Sequence, residues 1–152
     1  MKHILAAATL VTTTLLSVAP TRAADFGVTP MTDGDTFIGC LAQNNHTGIG
    51  YLAVGDKLAL FANSDTFTIA KGDRVKGTWS VDGGAETEFA STADTDHTVT
   101  IDVPNAADSV TALTTGTELT VTANGTAVKL PLVGTEAAFT DLMSCMTKEG
   151  AE

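Results

Sequence analysis

Three close pairs of acidic side chains are the groups in this chain whose spacing could support chemistry. Two carboxylates that face each other across a cleft, about 5 to 10 Å apart, can hydrolyse a glycosidic bond. Carboxylates also bind calcium, but no pair belongs to an Asp-x-Asp-x-Asp-Gly loop with a distal glutamate. The sequence therefore favours solvated carboxylates that form a candidate interaction surface, with hydrolysis and calcium binding as alternatives. The six residues are Asp33, Asp35, Glu86, Glu88, Asp94 and Asp96.

Histidine bases for nucleophilic catalysis are scarce. A serine, threonine or cysteine nucleophile needs a base beside it, and beyond residue 23 the chain offers only His46 and His97. His46 lies in a loop-like run of Asn, Thr and Gly, and His97 follows Asp96 at a predicted strand start. Neighbouring side chains of a strand point to opposite faces, so Asp96 would not orient His97. Without a Gly-x-Ser-x-Gly, phosphate-binding or His-Glu-x-x-His motif, the sequence predicts no catalytic residue and no cofactor.

The two cysteines, Cys40 and Cys145, are 105 positions apart. In an exported protein such a pair is typical of a disulfide, which here would tie the C-terminal segment to the first predicted strand. A free or catalytic thiol and a metal site are the alternatives. A structural zinc site takes four ligands, and the only other candidates, His46 and His97, are far apart in sequence. The chain is therefore predicted to hold a disulfide and no metal.

The first 23 residues have the pattern of a secretory signal peptide. Lys2 precedes an uncharged, apolar and threonine-rich run, and the small residues Thr21 and Ala23 suit a signal peptidase. A membrane anchor is the competing interpretation, but the run falls short of the roughly 20 apolar residues that span a bilayer. We expect cleavage near Ala23 and a mature chain that is periplasmic or secreted.

The chain is acidic, with 18 Asp and Glu against 8 Lys and Arg and a formal net charge of −10. Cleavage of the leader would also remove Lys2 and Arg22, which leaves the mature chain more acidic still. A negative surface is repelled by phosphate backbones and anionic membranes, so the charge disfavours nucleic-acid and membrane partners. The same charge favours association with a cationic exported protein.

Short apolar segments divided by Gly, Asp, Asn and Ser fill the region from Thr36 to Leu132, which is typical of an antiparallel β domain. The clearest signals are the alternation from His97 to Val103 and the hairpin turn Asn124-Gly125. Trp79, the only tryptophan, fits a core position better than a binding platform. The predicted strands cover 36–42, 48–54, 57–62, 67–70, 74–81, a return strand that begins near Glu86, 97–103, 118–123 and 126–132.

Two helices are predicted around these strands. Asn105 can cap a short helix near 105–114 that stops at Gly116, and Thr135 can cap a last helix near 136–147 that carries Cys145. Residues 24–35 are interpreted as a flexible N-terminal arm, and 36–148 as a single β-rich domain. The predicted fold class is mainly β, either an antiparallel β-sandwich or a barrel-like domain.

Several of these segments resemble a known group of exported proteins. The run from Trp79 to Gly84 and the tail from Leu132 to Phe139, followed by Leu142 and Cys145, are similar to the invasion-associated locus B family of small alphaproteobacterial proteins. Members of that family often close with a Leu-x-Gly-Ser/Thr-x-Ala-Ala segment, a helix and a cysteine. The resemblance covers 36–146 in outline and implies a periplasmic β-sandwich with a C-terminal helix and a non-catalytic role at the cell envelope.

The leading hypothesis is therefore a non-enzymatic exported protein that binds a partner or interacts with the cell envelope. Its sharpest version is an acidic inhibitor or immunity protein for a cationic exported enzyme, because opposite charges steer association. A small exported hydrolase that uses the acidic pairs and a purely structural envelope component are the alternatives. The sequence leaves the oligomeric state open.

Overall fold

A computed structural model describes residues 26–104 and 107–150. The predicted signal peptide, the start of the predicted arm and the Asn105 cap lie outside these ranges. The described chain forms nine strands and two helices. They are β1 (Gly27–Asp33), β2 (Thr36–Asn44), β3 (Ile49–Val54), β4 (Lys57–Asn63), β5 (Arg74–Val81), β6 (Thr87–Thr95), β7 (Thr98–Val103), α1 (Ala107–Thr115), β8 (Glu118–Ala123), β9 (Thr126–Pro131) and α2 (Thr135–Glu149).

The strands of the described chain form one antiparallel sheet in the order β1-β2-β3-β4-β7-β6-β5-β8-β9. Strand β6 connects the two halves, because Thr87 to Thr92 pair with β5 while Ala93 and Thr95 pair with β7. The register shifts between Ala93 and Thr95, and an irregularity of this kind bends a strand. The sheet is not closed, since β1 and β9 are its edges. The prediction of a mainly β, antiparallel, sandwich-like fold is confirmed.

Strand β7 illustrates how the sequence pattern gives the sheet a buried face. Val99, Ile101 and Val103 are buried, while the alternating residues Thr98 and Thr100 are partly exposed. Successive side chains of a strand point to opposite faces, so the alternation directs one apolar row toward the core. The buried rows of both halves join in one cluster in which valine, leucine, isoleucine and alanine predominate.

Helix α2 packs on β1 and β2 and also contacts α1. Ala138, Phe139 and Leu142 are buried, because spacings of three and four residues place them on one side of the helix. The ring centroid of Phe139 lies 4.6 Å from that of Tyr51 on β3. Both predicted helices are present, and α1 ends immediately before Gly116 as expected.

The predicted flexible arm is wrong for most of its length. Residues Gly27–Asp33 form the edge strand β1, whose register with β2 runs from Gly27 opposite Gln43 to Asp33 opposite Thr36. Phe26 and Val28 pack against the core cluster and hold this strand in place. Edge strands tolerate proline and polar residues, so the sequence of β1 resembles a loop.

Two further segments differ from the predicted strands. Residues 67–70 form no strand, although Phe67 is buried there, and the chain runs as a loop from β4 to β5. Strand β7 begins at Thr98, so the exposed His97 belongs to the preceding turn. In both places a short alternation of residue types occurs without the backbone pairing that makes a strand.

Thr135 is the first residue of α2 and not its cap. Gly134 occupies the cap position with a φ of 83°, a conformation that favours glycine. The buried Thr135 hydroxyl lies 2.9 Å from the carbonyl oxygens of Leu113 and Leu132, and its single proton is shared between these two acceptors. This contact joins the start of α2 to the last turn of α1 and to the residue that follows β9.

Tyr51 is the largest fully buried side chain among the described residues. Burial raises the pKa of its hydroxyl, and this oxygen has no hydrogen-bond partner among the described residues. A buried polar atom without a partner destabilises a fold by about 1 to 3 kcal/mol. We therefore expect Tyr51→Phe to leave the free energy of unfolding unchanged or to raise it by about 1 kcal/mol in urea denaturation. A loss of stability larger than about 1 kcal/mol would contradict this and reveal a partner for the hydroxyl.

Candidate functional site

The structure places the three acidic pairs at three separate positions. One pair flanks the β1–β2 turn, one borders the β6–β7 turn, and one lies at the start of β6. Because strand direction alternates across β2, β3, β4 and β7, the first two turns lie at opposite ends of the sheet. Within residues 26–104 and 107–150, no three His, Cys, Asp or Glu side chains are grouped as a metal site. The pairs are, in this order, Asp33 with Asp35, Asp94 with Asp96, and Glu86 with Glu88.

The carboxylates beside the β6–β7 turn bind neighbouring groups of the protein. Asp96 accepts a hydrogen bond from the backbone N–H of Lys71 at 2.9 Å, and Asp94 accepts one from the hydroxyl of Thr100. His97 is exposed in the same turn. Side chains that accept from loop backbone fix the path of the loop, so Asp96 joins this turn to the loop that precedes β5.

The disulfide between Cys40 and Cys145 is formed, and the described chain has no free cysteine. It joins the middle of β2 to the last turns of α2, with the two Cα atoms 6.2 Å apart. The sulfur of Cys40 lies in the core, since this residue is fully buried. The predicted disulfide is confirmed against the alternatives of a free thiol and a metal ligand, and it is consistent with an oxidising, extracellular or periplasmic compartment.

Asp82 is a residue whose role the sequence pattern did not reveal. It follows β5 with a φ of 50°, and its carboxylate accepts from the N–H groups of Thr117 and Glu118 and from the Thr117 hydroxyl at 2.6 Å. These hydrogen bonds lower the pKa of Asp82, and the bond from the Thr117 hydroxyl has the largest effect. The carboxylate thereby ties the β5–β6 turn to the segment between α1 and β8. The Asp82-Gly83 dipeptide signals the turn, but not its distant partner.

The lowered pKa of Asp82 predicts a pH dependence of stability. A carboxyl whose folded pKa lies below its usual 3.8 stabilises the fold above that pH, and the contribution disappears as pH falls through the folded pKa. We expect Asp82→Asn to be less stable than the wild type near pH 6, with a difference that shrinks below 3.8. Asparagine also tolerates positive φ, so the variant tests the charge. Thermal unfolding across pH measures this, and a difference that is constant with pH would contradict it.

A cleft of about 500 Å³, which we call the helix groove, lies between α1, α2 and the β3–β4 turn. Val110 and Thr114 face it from α1, and their spacing of four residues puts them on one side of that helix. From α2 it is lined by residues three or four apart, and the β3–β4 hairpin supplies the remaining lining residues. The volume is within the range of ligand-binding clefts. The residues that α2 contributes are Glu136, Phe139, Thr140, Leu142, Met143 and Met146.

The helix groove is mostly apolar and its surface can adapt. Met143 is 58% exposed there, and Met146 is partly buried against the core. Methionine side chains are flexible and polarizable, so they fit apolar groups of different shape. The charged residues that line the groove are Asp56, Lys57 and Glu136. The site can therefore hold an apolar surface of variable shape.

The sequence contains one signal for the helix groove that the prediction of the last helix did not use. Ala138, Phe139, Leu142, Met143 and Met146 together cover more of the helix circumference than a single buried stripe needs. In the structure the first three face the core, and Met143 remains exposed. An apolar arc wider than the packed face indicates a second contact surface.

No helix in the described residues is long and apolar enough to cross a membrane.

The fold and the helix groove define the class of this protein as a sandwich-like antiparallel β domain whose C-terminal helix is joined to the sheet by a disulfide. Comparisons of the chain with protein-family models, with curated proteins and with solved structures found no match. The resemblance to the invasion-associated locus B family therefore stays a prediction.

Proposed function

We propose that this chain is a non-enzymatic binding protein of the periplasm or the extracellular space, whose helix groove takes the apolar face of a cationic amphipathic helix from an exported partner. The observation that carries this proposal is the apolar groove between α1 and α2, with Met143 58% exposed. The signal-like leader and the Cys40–Cys145 disulfide support the compartment.

The shape of the groove supports a helix as its occupant. Amphipathic helices bind by laying apolar side chains spaced three and four residues apart into a groove between packed elements. The helix groove is lined by residues of two helices, α1 and α2, and by the Gly55-containing hairpin. Its methionines can repack around side chains of different size, which is typical of surfaces that bind helical segments.

The charge of the protein supports a cationic partner. The net charge is −10, and Glu136 lies in the groove lining. Basic side chains on the polar face of a bound helix would be attracted by the negative field of the whole protein. Such complementarity accelerates association and is screened by salt.

The absence of an assembled catalytic group among the described residues supports a binding role. Glycoside hydrolysis needs two carboxyls about 5 to 10 Å apart across a cleft, and none of the three acidic pairs lines the helix groove. Asp94 and Asp96 already accept hydrogen bonds within the protein. Neither His46 nor His97 lines the helix groove.

A synthetic helical peptide of leucine and lysine, about 18 residues long, is the probe for this proposal. We expect the oxidised mature protein to bind it in fluorescence anisotropy with a Kd in the micromolar range, at least about tenfold weaker when NaCl rises from about 50 to about 500 mM. Met143→Lys should weaken binding by about tenfold or more, because it puts a cation where the apolar face of the peptide docks.

Val133→Lys is the matched control for Met143→Lys. Val133 is 50% exposed and does not line the helix groove, so this variant makes the same charge change elsewhere and should bind the peptide like the wild type. Equal loss of affinity in the two variants, or binding that salt does not change, would contradict the proposal. Tighter binding of dodecanoate than of the peptide would also overturn it in favour of a lipid-binding role.

A further inference from the structure

A second cleft, of about 250 Å³, lies at the other end of the same half-sheet, beside the β2–β3 turn. We call it the amide cleft, and we propose that it is a binding site for a neutral saccharide. It is formed on the outer face of β2, β3 and β4, away from α1 and α2. This proposal is independent of the helix groove, because no residue lines both clefts.

Gly50 forms the floor of the amide cleft. It pairs with Gln43 on one side and with Phe61 on the other, so the two side chains stand on either side of a residue that has none. A Cβ at Gly50 would lie 3.2 Å from the carbonyl oxygen of Ala42 and 3.5 Å from Cδ2 of Phe61. Phe61 therefore packs directly against Gly50, and both residues line the cleft beside Gln43.

The polar lining of the amide cleft is neutral, in a chain with 18 acidic and 8 basic residues. It consists of the carboxamides of Gln43, Asn44, Asn45 and Asn63 and the hydroxyl of Thr98. Each carboxamide has donors and an acceptor, which is the combination that a hydroxyl-rich ligand needs. The lining contains no Asp, Glu, Lys or Arg that would favour a charged ligand.

Two of these carboxamides are free to bind a ligand. Gln43 and Asn45 are exposed, and their side chains make no hydrogen bond within the described part of the chain. Asn63 donates from Nδ2 to the Thr98 hydroxyl at 2.7 Å, which orients its side chain and leaves its oxygen as an acceptor. The half-buried ring of Phe61 adds an apolar surface beside them.

The rim of the amide cleft is held in place before any ligand binds. Asn44, which is 2% exposed, accepts hydrogen bonds through Oδ1 from the N–H groups of His46 and Thr47. Gly48 accepts from the N–H of Asn63 at 2.8 Å and so fixes the turn to the end of β4. A preformed rim reduces the entropy that a ligand loses on binding.

These features favour a neutral saccharide over other ligands. A sugar ring presents apolar C–H groups on one side and hydroxyls around its edge, and the cleft offers an aromatic ring beside amide donors and acceptors. A nucleotide or phosphosugar would need cations or helix N-termini, and the amide cleft has neither. The cleft is small, so we expect it to hold one or two sugar rings with a Kd of about 1 mM.

The test uses the β-1,4-linked trimer of N-acetylglucosamine and maltotriose as probes, added separately to the ¹⁵N-labelled mature protein. We expect saturable amide shifts for one of them, confined to residues 43–50, 61–63 and 98. Gln43→Ala and Asn45→Ala change exposed side chains, so both should fold and each should weaken binding by about three- to tenfold. Phe61→Ala should weaken it further.

Phe89→Ala is the matched control for Phe61→Ala, because Phe89 is a half-buried aromatic residue opposite a strand glycine, Gly77, in the other half of the sheet. It should not change saccharide affinity. Absence of shifts with both probes at about 50 mM, shifts centred on the helix groove, or affinity that Gln43→Ala and Asn45→Ala leave unchanged would each overturn the proposal.

Discussion

The double variant Cys40→Ala/Cys145→Ala is expected to lose about 4 to 5 kcal/mol of unfolding free energy relative to the oxidised wild type. The disulfide closes a loop across 105 positions of the chain. A closed loop of about that length lowers the entropy of the unfolded chain, and this loss corresponds to a free energy of the stated size at about 25 °C. Helix α2 should lose the most stability, because the disulfide joins its last turns to β2. Urea denaturation followed by far-UV circular dichroism measures the change.

Reduction provides the matched control for the disulfide. The wild type under dithiothreitol should fall to about the stability of the double variant, while the variant itself should not respond to the reductant. A loss of less than about 1 kcal/mol would contradict the expectation and would mean that packing alone holds α2 on the sheet.

Gly77→Ala is expected to destabilise the protein by about 3 kcal/mol or more. A Cβ at Gly77 would lie 1.7 Å from the carbonyl oxygen of Thr122 and 3.1 Å from Cε1 of Phe89. The carbonyl belongs to β8, whose pairing with β5 fixes its position, so the contact cannot relax without breaking part of the sheet. Thermal and urea unfolding of the purified variant measure the effect.

Gly27→Ala is the matched control for Gly77→Ala, since both glycines lie in strands. The nearest atom to a Cβ at Gly27 is the carbonyl oxygen of Gln43 at 4.0 Å, which is an ordinary contact. We expect this variant to be as stable as the wild type or more stable by up to about 1 kcal/mol, because alanine restricts the unfolded chain. Similar losses in both variants would show that the steric argument for Gly77 is wrong.

Local patterns predicted most of the secondary structure. The Asn124-Gly125 turn is present with φ angles of 47° and 84°, which are the positive values that a two-residue hairpin requires. Trp79 is 4% exposed and belongs to the core, as its place in an alternating strand predicted. These features depend on residues that are neighbours in sequence, so the sequence carries them directly.

The edge strand β1 and the loop at 67–70 show where local patterns fail. Strand β1 has a weak apolar pattern, and it is held by pairing with β2 and by the packing of Phe26 and Val28. Segment 67–70 has strand-like residues but no partner strand in the sheet. Whether a segment becomes a strand here depends on whether another strand pairs with it, and the neighbouring residues in sequence do not reveal that partner.

The candidate sites depended even more on tertiary structure. The acidic pairs that the sequence singled out lie at separate turns, with Asp96 engaged by the backbone of Lys71. The helix groove joins segments near residues 55, 110 and 140, and the amide cleft joins Gln43, Phe61 and Thr98. No spacing within one segment predicts such meetings.

The sequence by itself determined the class of this protein, which is a mainly β domain with two helices and one disulfide. Alternation and turn residues are patterns among sequence neighbours, and two cysteines allow only one pairing. Only the tertiary structure decided that β4 pairs with β7, that β6 bends from one half of the sheet to the other, and that α2 leaves Met143 exposed beside α1. These arrangements follow from burying apolar faces of segments far apart in the chain. Their free energy depends on which faces meet, and hydrophobic periodicity tells only that each face must be covered.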